Sequence, residues 1–222
     1  MSGTARKPRY ERQVASDRRE ALVDAAIESL KRYGYEGLSV RRIAAEAGVS
    51  IGLINHHFPN KDTLVAESYR TFSRRLAANF EAAAAAAGPD PRARLRAYLD
   101  AFFSGPNLNP QVLTAWVVYW SLVQVSPEMK AVRDEEGRGY SEVLGRLLSD
   151  LARSRGGSPV NVGLAVTGLT ALLDGLWLQL CLDPTSIRPN EAAALCDDWV
   201  DRLIGRAPGN AATRPRRGLT EE

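Results

Sequence analysis

The stretch Ser39 to Phe58, SVRRIAAEAGVSIGLINHHF, constrains the fold more than any other part of the chain. It reads as two short helices around a tight turn. Ser39 is placed to cap the first helix, and Val40, Ile43, Ala44 and Ala47 share one face at helical spacing. Gly48 follows the last periodic residue, where a left-handed backbone suits glycine. Val49 can plug the corner between the helices. Ser50 is a second cap, and Leu53, Ile54 and Phe58 give the second helix a stripe to bury. Ser50, Ile51, Gly52, Asn55 and His56 are left facing outward. A short helix with a small, polar outer face, set behind a helix and a glycine turn, suits the major groove of DNA.

The charge distribution agrees with that use. Residues 1–75 carry 14 Lys and Arg against 9 Asp and Glu, a surplus of five, while residues 76–222 carry 15 against 17. A basic excess around the two-helix unit is what contact with phosphates needs. The chain has 222 residues, 45% of them apolar, enough for a small domain and a larger one. Cys181 and Cys196 form no disulfide framework and no metal spacing, so reduced, buried cysteines in a cytoplasmic protein are expected. A basic, polar N-terminus with no apolar segment behind it argues against a secretory signal.

An all-α chain is expected, with an N-terminal three-helix helix-turn-helix domain, a larger C-terminal helical domain and about nine helices. Residues 1–15 read as a basic, disordered arm that either follows DNA or stays solvated. Residues 16–60 form the helix-turn-helix domain. Its first helix, Ser16 to Tyr33, is capped by Ser16 or Asp17 and carries Leu22, Val23, Ala26, Ile27 and Leu30 on one side. Residues 61–205 form the second domain, and residues 206–222 read as a disordered tail. Asn60 caps a long connecting helix to about Ala87. Lys61 in its first turn opposes the usual charge preference there, and makes sense beside a phosphate. Further helices begin at Pro91, Pro110, Pro127, Val160 and Pro189. Val160 to Leu182 is apolar enough to raise a membrane question, but Asn161, Asp174 and Gln179 favour a core or dimer helix.

Two constellations carry chemistry. In the outer face of the second short helix, Asn55 can pair bidentately with adenine, His56 can donate to guanine, and Ile51 can touch a thymine methyl. Gly52 lets the helix approach closely. His56 and His57 are about 100° apart on a helix and do not chelate one metal. In the second domain, Trp116 and Trp120 share a helical face with Tyr119 beside them, and Asp174 and Trp177 share another. Aromatic faces with one carboxylate are what an organic cation requires. The alternative is that these aromatics are core and that Asp174 pairs with an arginine or caps a backbone.

The residues Ile43-Ala44, Ala47-Gly48-Val49-Ser50, Gly52, Phe58, Lys61-Asp62 and Leu64, at this spacing and followed by an all-helical remainder, resemble the TetR family of transcriptional repressors. Leu53-Ile54-Asn55-His56-His57-Phe58, Ala115-Trp116 with Trp120, and Ala171-Leu172-Leu173-Asp174-Gly175-Leu176-Trp177 look like its BetI branch. The resemblance implies that Ser39, Arg41, Ser50, His57 and Lys61 meet the DNA backbone, and that Ile51, Gly52, Asn55 and His56 face bases. It places Trp116, Trp120, Asp174 and Trp177 on helices around an effector cavity or the dimer seam, and gives the last two helices to a homodimer. The implied function is a repressor on a palindromic operator, released by a small, choline-like effector. An activator, or a DNA binder with no effector, remains the alternative. No cofactor and no metal are expected. An enzyme is disfavoured: no phosphate loop or nucleophile elbow occurs, and the only two histidines lie in the reading helix.

Overall fold

The computed structural model describes residues 9–105, 107–156 and 161–205, and among them there are nine α-helices and no strand. The first, α1, spans Arg9–Tyr33. It begins ahead of the expected Ser16 or Asp17 cap. Between Pro8 and Gly34 the sequence holds no glycine or proline, and Arg, Glu, Gln and Ala before Ser16 are good helix formers. Residues 1–8 of the expected arm, and the tail from 206, lie outside the described residues.

A 3-10 turn, Gly34–Leu38, leads into α2 (Val40–Ala47) and α3 (Ile51–His57). The local signals sit where the sequence put them. The Ser39 hydroxyl accepts from the Arg42 amide at 3.2 Å, and the Ser50 hydroxyl accepts from the Leu53 amide at 3.3 Å. Gly48 ends α2 at φ 64°, a left-handed conformation that costs an L side chain about 1–2 kcal/mol. Ile43, Ile54 and Phe58 are fully buried against Leu22, Leu30 and Leu38. The guanidinium of Arg19 lies 4.5 Å from the centroid of Phe58 and lids this small core.

The connector, α4, runs from Lys61–Ala86 and is capped by Asn60, whose side chain accepts from the Thr63 amide at 2.8 Å. Then follow α5 (Pro91–Phe102), α6 (Pro110–Val123) and α7 (Pro127–Ser154). All three start with the same two-residue grammar: Asp90, Asn109 or Ser126 caps, then a proline whose missing amide is not needed at that position. Helix α7 runs unbroken through Gly137 and Gly139, although glycine weakens a helix interior.

The last two helices are α8 (Val162–Leu182) and α9 (Pro189–Gly205). Asn161, which looked like a polar interruption of an apolar span, is the cap of α8 and accepts from the Leu164 amide at 3.1 Å. By length and composition α8 could cross a membrane. It buries Ala165, Leu169, Leu173 and Trp177 on one side, and keeps Leu164 and Leu182 exposed on the other. Helix α9 packs so close that a Cβ on Gly168 would lie 2.6 Å from Cη2 of Trp199. Ion pairs tie α5 to α9: Arg92 reaches Asp201 at 2.7 Å and the buried Asp197 at 2.8 Å.

Candidate DNA interface and effector site

The reading helix α3 presents the expected face. Ser50, Ile51, Gly52, Asn55 and His56 are all exposed, while Ile54 on the opposite side is buried. The serine caps at both helix starts leave the remaining first-turn amides open, a geometry suited to backbone phosphates. Arg41 and Lys61 are exposed and make no ion pair among the described residues. His57 is half-buried and packs edge-to-face on His56, with ring centroids 5.3 Å apart. Burial, with the charges of His56, Arg18 and Arg19, holds its pKa below the usual histidine value. That shift reveals Arg18 and Arg19 of α1 beside the end of α3, a neighbourhood that sequence spacing did not disclose. The same positive field would make an incoming phosphate welcome.

In the second domain the aromatic side chains form a continuous chain. Trp177 meets Trp120 at 6.1 Å, Trp120 meets Trp116 at 5.6 Å, and Trp116 meets Tyr69 at 5.7 Å between ring centroids. Two of the expected effector residues commit their polar atoms to the core. Tyr119 is fully buried and donates to the Ser68 hydroxyl at 2.8 Å. Trp177 is buried and donates from Nε1 to the Asn107 carbonyl at 3.0 Å, pinning the loop ahead of α6. Trp116 and Trp120 are only half-buried.

Asp174 differs from both. It keeps more than a third of its surface accessible, and no hydrogen bond or ion pair reaches its carboxylate among the described residues. Crowding by neighbouring atoms nevertheless desolvates the carboxyl and pushes its pKa up to about 6, with the charge of Arg133 pulling the other way. Asp174 is thus accessible on one side and crowded on the other. Burial raises the phenol pKa values of Tyr69, Tyr98 and Tyr140, and the charge of Asp174 adds to each, so these groups share one neighbourhood. Tyr69, Tyr98, Arg133 and Tyr140 come from α4, α5 and α7. Sequence spacing did not reveal them, because nothing in it links four helices around one acid.

The connector joins the two regions through shared charges. Glu67 of α4 pairs with Arg19 of α1 at 3.3 Å and with Arg70 at 2.6 Å. Arg70 also reaches Glu135 of α7 at 3.1 Å, and Arg74 binds Glu135 at 2.8 Å and Glu136 at 3.0 Å. Arg75 returns to Asp24 of α1 at 2.6 Å. Arg133, beside Asp174, lies less than one turn from this acidic pair.

Fold and reading helix together define a helix-turn-helix DNA-binding regulator. Residues 22–68 match the family model of bacterial regulatory proteins of the tetR family, and residues 91–205 match that of the BetI-type transcriptional repressor C-terminal domain. The HTH-type transcriptional regulator BetI of Burkholderia mallei is 32% identical over 188 residues, covering 84% of this chain and 93% of that protein. A transcriptional regulator of known structure from Pseudomonas aeruginosa PAO1 is 40% identical, with a TM-score of 0.78 over 86% of this chain and 91% of its own. A regulator from Saccharomonospora viridis, crystallised in complex with choline, shares the fold at 21% identity and a TM-score of 0.69, over 84% of this chain and 96% of its own. The chain belongs to the TetR family of transcriptional regulators, in its BetI-type branch, and is not an enzyme.

Proposed function

We propose that this regulator is a cytoplasmic repressor that binds a palindromic operator as a homodimer and leaves it when a small organic cation enters the recess at Asp174. One observation carries the ligand half of the reading: the Asp174 carboxylate has no partner among the described residues, although it stands on an apolar helix near the aromatic chain. An unpaired carboxylate in such surroundings is costly, and a cation stacked on aromatic faces offsets that cost. No arginine or lysine lies over the rings of Trp116 or Trp120 among the described residues. The choline bound by the Saccharomonospora viridis regulator makes choline a natural first candidate.

The DNA half rests on the exposed face of α3. Ser39, Arg41, Ser50, His57 and Lys61 position the domain on phosphates, while Ile51, Gly52, Asn55 and His56 meet base edges. Leu164 and Leu182, towards the two ends of α8, and Leu195 of α9 stay exposed and are apolar side chains that a second copy could cover. A dimer spaces two reading helices about 34 Å apart, one helical turn of DNA.

Release follows from differential affinity. The cation binds better to a dimer whose reading helices are misplaced, and the operator binds better to the other arrangement. The Arg19–Glu67–Arg70–Glu135 chain is the physical link between recess and reading head. Footprinting on promoter fragments tests the reading: protection that disappears on adding the cation supports it, and protection that never changes refutes the sensor role. Protection that instead raises transcription would make the protein an activator.

A further inference from the structure

Two adjacent arginines of α1 meet the reading unit in different ways. Arg19 is committed. Its guanidinium lies 4.5 Å from the centroid of Phe58, the residue that closes α3, and it pairs with Glu67 at 3.3 Å. Arg18 is exposed and makes no ion pair among the described residues.

The surroundings of Arg18 fix where it stands. With Leu22 and Ala25 of α1, Val49 of the turn and Leu53 of α3, it lines a groove between the first helix and the reading unit. Leu53 and His57 are four residues apart, so both lie on the edge of α3 that faces α1. The imidazole of His57, whose pKa is lowered first by burial, also feels the charge of Arg18. The acids of the same groove are taken. Asp24 pairs with Arg75 at 2.6 Å, Glu28 with Lys31 at 2.8 Å and Glu46 with Arg32 at 3.1 Å. Among the described residues lining the groove, Arg18 is the one charge without a partner. When the outer face of α3 enters a major groove, the sugar-phosphate strands pass along its edges, and Arg18 stands at one of them.

Resting on the placement of α3 argued above, we infer that Arg18 binds a backbone phosphate beside His57, so that α1 grips a strand flanking the groove in which α3 lies. A guanidinium matches phosphate oxygens bidentately. The contact fixes register and adds affinity but reads no base. It extends the phosphate-binding set from the starts of α2, α3 and α4 to a helix that the helix-turn-helix spacing does not include.

Fluorescence anisotropy of the full-length protein on a duplex of mixed sequence, repeated over a series of sodium chloride concentrations, tests this, because a phosphate contact is blind to sequence. In Arg18→Gln the log–log slope of affinity against salt should become shallower by about 0.9, the share of one phosphate. Arg18→Lys keeps the charge and should keep the slope. Arg153→Gln, which removes an exposed charge near the end of α7, is the control and should leave the slope unchanged. An Arg18→Gln slope equal to that of the unaltered protein would overturn the inference and leave α3 as the reading helix. An equal change in Arg153→Gln would also overturn it, by showing an effect of net charge alone, and an equal change in Arg18→Lys would overturn it by showing an effect of packing. If the unaltered protein bound no duplex at the lowest salt, the inference and the reading beneath it would fall together.

Discussion

At the scale of single residues, Asn55 and Asp174 carry the account. Asn55 stands on the exposed face of α3 and makes no capping contact, so its amide is free for a base edge. Asn55→Ala should weaken operator binding by about 1–3 kcal/mol while leaving binding to random DNA nearly intact. Fluorescence anisotropy on the operator and on a scrambled duplex measures both, and equal losses on the two would contradict base reading. For Asp174 the raised pKa fixes a pH window. Folding favours the neutral acid, so the cost of its charge is fully present above about 6 and disappears as the pH falls. A cation needs the charged form. Its affinity should therefore hold above pH 7 and drop about tenfold per pH unit below about 6. In Asp174→Asn that dependence and most of the affinity should vanish, with operator binding unchanged. These two residues also mark how far a sequence speaks. Asn55 was legible because a helix of known phase has only one outer face. Asp174 was legible as an oddity in an apolar helix, but its lack of a partner was not, since Tyr69, Tyr98, Arg133 and Tyr140 come from distant helices.

At the scale of elements, caps and breaks came through because they act within four residues. Ser39, Gly48, Ser50, Asn60 and the prolines Pro91, Pro110 and Pro127 all fall where the helices begin or end, while the caps Asp90, Asn109 and Ser126 emerged only in the structure. The start of α1 did not, because good helix formers ahead of Ser16 extend the helix without a signal of their own. Nor did the contact of Gly168 with Trp199, which depends on how two helices cross. Gly168→Val should push α9 away from α8 and cost about 1–3 kcal/mol through overpacking. It should also loosen the dimer, as sedimentation velocity would report; an unchanged dimer would place the seam elsewhere. The connector offers a second test. Glu67→Gln breaks both the Arg19 and Arg70 pairs without touching the reading face or the recess. It should reduce the coupling between cation and operator while each ligand alone still binds. A coupling factor equal to that of the unaltered protein would exclude this link.

At the scale of the whole molecule, the division of labour is electrostatic as well as structural. The basic surplus belongs to residues 1–75, and the remainder is slightly acidic. Operator affinity should thus fall steeply with salt, with a slope of about 0.9 per phosphate neutralised, while dimerisation through the apolar faces of α8 and α9 should not. The two thiols stay out of this chemistry: burial pushes Cys181 up to about 11 and Cys196 up to about 12, leaving both protonated at neutral pH. The central claim joins the two halves: the outer face of α3 enters the groove twice per dimer, and a cation at Asp174 withdraws it. The most direct measurement is DNase footprinting of genomic promoter fragments at low ionic strength, with and without added cation. One protected palindrome is expected, with half-sites about one helical turn apart, lost on adding the cation and retained in Asp174→Asn. Failure to retain any fragment, or a footprint equally sensitive to the cation in Asp174→Asn, would contradict it.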